Sequence, residues 1–123
     1  MRFLTDRKQV IGLGSAKTGT EHFWAMSVSS VALLLLIPMF IMMVGSMLGQ
    51  PYEVVIAYFS RPLPAIVAAL TILVGFMHFQ GGARVLIEDY VHGPSQRPLI
   101  IAVICLSYAA AATGIFAIAR IAL

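Results

Sequence analysis

Charge is scarce in this sequence. Asp, Glu, Lys and Arg make up 11% of its 123 residues, against about a quarter in soluble domains, and 60% of the chain is hydrophobic. A water-soluble globule is excluded. Cysteine is nearly absent as well: Cys105 alone permits no intrachain disulfide, leaves the redox compartment unread, and reads as a small apolar packing residue. There is no P-loop and no Gly-rich dinucleotide fingerprint.

The few charges leave three stretches free of them: Phe23 to Gln50, Pro62 to Ala83 and Pro98 to Ala119. Each is long enough to cross a hydrocarbon core of ~30 Å, which takes about 20 helical residues. The sequence therefore predicts an all-α fold, a three-helix transmembrane bundle with spans at 23–48, 63–88 and 98–121 behind an N-terminal segment, 1–22. Too little chain remains for a separate soluble catalytic domain.

The pI is near 9.4, yet the basic residues form no cluster interleaved with aromatics, so no nucleic-acid face is present. Their placement follows a membrane instead. Arg2, Arg7, Lys8 and Lys17 precede span one, and Arg84 and Arg97 flank the loop between spans two and three; only Arg61 and Arg120 fall on the other side. The positive-inside rule puts the N-terminus and the 84–97 loop in the bacterial cytoplasm, or in the matrix of an organelle. The N-terminal segment reads as retained, because polar residues run to His22 and the next apolar stretch is too long for a signal h-region. Thr18, Gly19, Thr20 and Glu21 offer capping chemistry, and Phe23 and Trp24 suit the headgroup level.

Span one carries Pro38 near its middle, where a kink is expected. Ser27, Ser29 and Ser30 lie about one turn inside its start, placed to bond helix carbonyls or a partner. The connection holds an amphipathic fragment, Val54 to Phe59, that reads as a short interfacial helix. In span three, Ala109 to Gly114 strips one face of bulk for close helix approach.

The chemistry lies in span two. His78 is the only ionisable side chain deep in any span, about 7–8 Å past the midpoint toward the 84–97 loop. An imidazole at that depth must find a partner, and a functional role is its default reading. At 100° per residue, Thr71, Val74, Gly81, Gly82, Val85 and Asp89 lie near its azimuth, Asp89 only about 20° away. Gly81 and Gly82 set no side chain below the ring. A flat macrocycle needs such a bare surface beside an axial ligand, and imidazole is a common haem iron ligand. An interhelical hydrogen bond without a cofactor, and plain helix packing at the glycines, are the open alternatives. One histidine cannot fill both axial positions, and His22 and His92 flank the spans at the membrane surface, so the second ligand should come from another chain. Asp89 and Tyr90 end the span before Gly93 and Pro94; there a phenol can donate to a carbonyl while the carboxylate orients it and links it to aqueous protons, the open alternatives being an aromatic-belt tyrosine and a solvated terminal aspartate.

These residues resemble the D-type hydrophobic membrane anchor of succinate dehydrogenase, the cytochrome b subunit of complex II. The likeness rests on His78 followed eleven residues later by Asp89-Tyr90-Val91, on Gly82 one turn after the histidine, and on Gly12 to Lys17 and His22-Phe-Trp24 in the polar leader. It covers all three spans. The resemblance implies a hetero-oligomeric membrane anchor in the bacterial inner membrane, N-terminus cytoplasmic. Its partners would be a C-type cytochrome b anchor, an iron–sulfur subunit and a flavoprotein that oxidises succinate. It further implies haem b shared with the C-type anchor, with His78 as axial ligand and Gly81, Gly82 and Ser27 on the haem side. At the site of ubiquinone reduction, Tyr90 would bond a quinone carbonyl with Asp89 in support. Ser27 stands where many members have an arginine, and a hydroxyl cannot neutralise a haem propionate; a partner-chain arginine or Arg84, about 120° from His78 around the helix, is left for that role. A structural or assembly subunit without haem, and a fumarate reductase anchor, are the alternatives.

Overall fold

A computed structural model describes residues 5–12 and 19–123. The expectations for Arg2, Lys17, Thr18 and the leader residues 13–17 lie outside those described residues. The rest is all-α, with no strand among the described residues: α1 (Asp6–Ile11), α2 (Gly19–Met47), α3 (Tyr52–Phe59), α4 (Pro62–Tyr90) and α5 (Gln96–Ala122). Three of these, α2, α4 and α5, are long and apolar enough to cross a membrane.

Local chemistry explains the helix ends. Thr5 Oγ1 accepts the backbone N–H of Lys8 at 3.4 Å and starts α1. Span α2 runs through Pro38, whose missing N–H leaves the carbonyl one turn back without a helical donor. It stops where Gly49 takes φ 77°, a left-handed conformation that costs glycine little. Pro51 then restarts the chain as α3, the short amphipathic helix. Pro62 opens α4 at a position where no intrahelical N–H is needed. At its other end, Val91 is extended and Gly93 adopts φ 87°, breaking the helix. Gln96 Nε2 donates to Glu88 O at 3.2 Å, tying the start of α5 to the end of α4.

The three spans form no closed ring. Helix α4 is the centre: α2 and α5 pack on its flanks without comparable packing on each other, and α3 touches α4 and α5. Burial follows, since 22% of the most apolar window of α4 is buried within the chain but only 6% of that of α2 and 11% of that of α5. Most of α2 and α5 is therefore left for lipid or other subunits. Burial is deepest at the end of the bundle where α4 begins, around Pro64, Ala65, Val67 and Ala68. On α5, Ala111 is buried and Gly114 sits so close that an added Cβ would stand 2.8 Å from Ile72 Cγ2, so the small-residue face does pack on α4. Cys105 is exposed on α5, on the part of that span left for lipid or other subunits.

Candidate functional site

Helices α2 and α4 run antiparallel, and two close approaches fix their register. A Cβ built on Gly81 would stand 2.5 Å from Met26 Sδ and 3.6 Å from His22 Cε1, so the methionine covers the bare glycine. One turn deeper, His78 Nδ1 lies 2.8 Å from Ser29 Oγ. That serine also donates to Met26 O at 2.9 Å, and Ser30 Oγ donates to the same carbonyl at 2.8 Å. The half-buried imidazole thus has one protein partner, across the helix seam, and its other ring nitrogen has none among the described residues.

The two sides of this seam differ. On one side His78 borders two apolar grooves. The first, of about 460 Å³, runs along α4 past Phe79, Gly82 and Leu86 to Val103 of α5. The second, of about 420 Å³, runs along α2 past Ser30, Leu34 and Pro38. On the other side a cavity of about 360 Å³ is lined by His22, Met26, Gln80, Gly81 and Arg84. The two glycines therefore part company. Gly81 is taken up by packing against α2, whereas Gly82, whose nearest neighbour would be Met26 Cε at 4.0 Å, keeps its surface open on the groove side.

Ser27 is half-buried and makes no hydrogen bond among the described residues. At three and seven residues before Ser30 and Leu34, it continues their row one turn beyond the groove, toward the N-terminal end of α2. Arg84 does not reach that side. Its Nε donates to Glu88 Oε1 at 2.8 Å in an i,i+4 ion pair, and its side chain lines the opposite cavity, so it is poorly placed to pair with a group lying in the grooves.

Asp89 and Tyr90 lie in the last turn of α4 and are exposed, with no hydrogen bond or ion pair among the described residues. Tyr90 is 78% exposed. It stands four residues after Leu86, which borders the groove, so the phenol continues the groove side of the helix, about 120° around the axis and about 18 Å along it from the imidazole. Among the described residues no three His, Cys, Asp or Glu side chains gather as a metal-ligand set. An iron next to His78 would need a donor from outside this group.

Pairing of Ser29 with His78 is the feature that the residue pattern alone does not reach. The serine stands out as a hydroxyl inside a span, but nothing in its spacing says which residue of α4 it meets. His22, expected at the membrane surface, turns against Gly81 and lines the far cavity.

The profile of the succinate dehydrogenase/fumarate reductase transmembrane subunit matches residues 1–116. The succinate dehydrogenase hydrophobic membrane anchor subunit of Paracoccus denitrificans is 44% identical over 123 residues, covering 100% of this chain and 95% of that protein. No solved structure matches. With nearly its whole length covered by both likenesses, the chain belongs to the succinate dehydrogenase/fumarate reductase transmembrane subunit family.

Proposed function

We propose that this chain is a D-type membrane-anchor subunit of a succinate:quinone oxidoreductase, in which His78 is one axial ligand of haem b and Tyr90 with Asp89 helps to bind ubiquinone. The observation that carries the haem reading is the half-buried imidazole of His78, with one nitrogen bonded to Ser29, the other without a protein partner, and two apolar grooves beside it. A polar atom left unsatisfied at bilayer depth is costly, and an imidazole nitrogen is a suitable donor to haem iron. The donor set fits a shared group: this chain offers one ligand, and the C-type anchor would supply the other. Gly82 lends a flat wall to the groove and Ser27 a hydroxyl near its polar edge.

Bound haem would supply a one-electron relay within the membrane. The chain's own residues do the rest. His78 would hold the group through its imidazole, and the apolar walls formed by Phe79, Leu34 and Val103 would keep water from it. At the end of α4, Tyr90 offers a phenolic proton to a quinone carbonyl, and the neighbouring Asp89 carboxylate can take up and hand on protons from the aqueous side. The iron–sulfur and flavoprotein subunits would dock at this end, which also carries Arg7, Lys8, Arg84 and Arg97 and, by the positive-inside rule, faces the bacterial cytoplasm. The Paracoccus relative supports a bacterial inner membrane and an anchor in succinate oxidation.

The test is a reduced-minus-oxidised optical spectrum of the purified complex carrying His78→Ala. Haem content should fall or the spectrum change to that of an altered ligand set. An unchanged bis-histidine spectrum would remove His78 from the iron and leave it as a helix-packing residue. Co-purification with a flavoprotein and an iron–sulfur protein tests the anchor role separately.

A further inference from the structure

The chemistry of Ser29 goes beyond a helix contact. A serine hydroxyl has one proton to donate. Its oxygen stands 2.9 Å from Met26 O, and two oxygens at that distance repel unless a proton lies between them. A carbonyl has none to give, so the proton is the serine's. Ser29 Oγ can then only accept at its other contact, 2.8 Å away, and the donor there is the N–H of His78 Nδ1. A neutral imidazole carrying its proton on Nδ1 has its lone pair on Nε2.

We propose that Ser29 is the positioning residue of the haem ligand: by accepting the Nδ1 proton it selects the tautomer of His78 that presents Nε2 to iron, fixes the ring's orientation, and sets how strongly the imidazole donates. This rests on the reading of His78 as a ligand. Metal-bound histidines are commonly held by a bond from their second nitrogen, which raises their basicity, and loss of that partner typically costs 10–100-fold in affinity. The partner here is a neutral hydroxyl, already polarised through its bond to Met26, and it belongs to a different helix from the ligand. The geometry of α2 against α4, kept by Met26 over Gly81, is thereby coupled to the iron.

A more basic ligand favours the ferric state, so removing the acceptor should raise the midpoint potential. In the complete purified complex, Ser29→Ala should shift the ferric-over-ferrous preference about tenfold, or about 59 mV for a one-electron couple, and move the low-spin electron paramagnetic resonance signal. Ser29→Thr retains the hydroxyl and should restore both to near the parent values. Ser29→Cys, with a weak sulfur acceptor of similar size, should fall between them, and it carries the test if the alanine variant does not assemble. Parent potential and signal in the alanine or cysteine variant would overturn the proposal. So would a threonine variant that behaves like alanine, since volume and not the hydroxyl would then be at work. A parent spectrum in His78→Ala would instead sink the ligand assignment itself, so the two failures are distinguishable.

Discussion

At the scale of single residues, the phenol of Tyr90 offers the most direct test of the quinone reading. Tyr90→Phe removes only the hydroxyl from an exposed side chain with no protein hydrogen bond among the described residues, so the fold has little to lose. A hydrogen bond to a quinone carbonyl is worth about 0.5–1.5 kcal/mol, which corresponds to a rate loss of about two- to tenfold, larger if charge builds on that oxygen. Succinate:quinone activity of the complex should fall by that factor while succinate oxidation by a soluble artificial acceptor stays near normal. Asp89→Asn should act in the same direction by removing the carboxylate. Equal quinone rates in Tyr90→Phe and parent would make Tyr90 an interfacial aromatic and nothing more. His78 stands out in the linear sequence because an ionisable group deep in an apolar span is conspicuous by itself, whereas Asp89 and Tyr90, at a helix end where an acid and an aromatic are ordinary, gain a role only from the family resemblance. Ser29 does not become specific there, because serines inside spans usually bond their own helix, and this one does so as well as meeting His78.

The three spans are readable from charge-free runs punctuated by Gly and Pro, and α3 from its aromatic end and the proline before it, but the short polar α1 lacks any apolar run and is not legible in the sequence. Periodicity states which residues share a face. It cannot state which neighbour covers that face, and Gly81 and Gly82 show the difference: about 100° apart on α4, they fall on opposite sides of its seam with α2. Their substitutions should separate accordingly. Gly82→Leu fills the groove beside His78 and should lower haem per assembled complex, with the helix pair intact. Gly81→Leu drives a side chain into Met26 and His22, so it should reduce the yield of assembled complex first. Gly114→Leu, against Ile72 on the other flank of α4, should also reduce assembly without a specific effect on haem. Haem-to-protein ratios and complex yields of the three variants check this, and identical profiles for Gly81→Leu and Gly82→Leu would contradict the division.

For the whole molecule, the proposed orientation rests on the charges at each end, Arg2, Arg7, Lys8, Lys17, Arg84 and Arg97 against Arg61 and Arg120. With Cys105→Ser as background, a thiol introduced by Ser95→Cys should react with a membrane-impermeant reagent only in inside-out vesicles, and one introduced by Ser60→Cys only in right-side-out vesicles. The reverse pattern would invert the topology. The central position of α4 has another consequence, in the order of synthesis. Each seam joins spans that follow one another in the chain, α2 with α4 and then α4 with α5, so neither demands a distant segment still to be made. Both Ser29 and His78 belong to the first pair. The proposed iron ligand and the serine that holds it can therefore be set while α5 is still emerging from the ribosome, and the last span completes one wall of the groove, with Val103, as it docks on an element already in place.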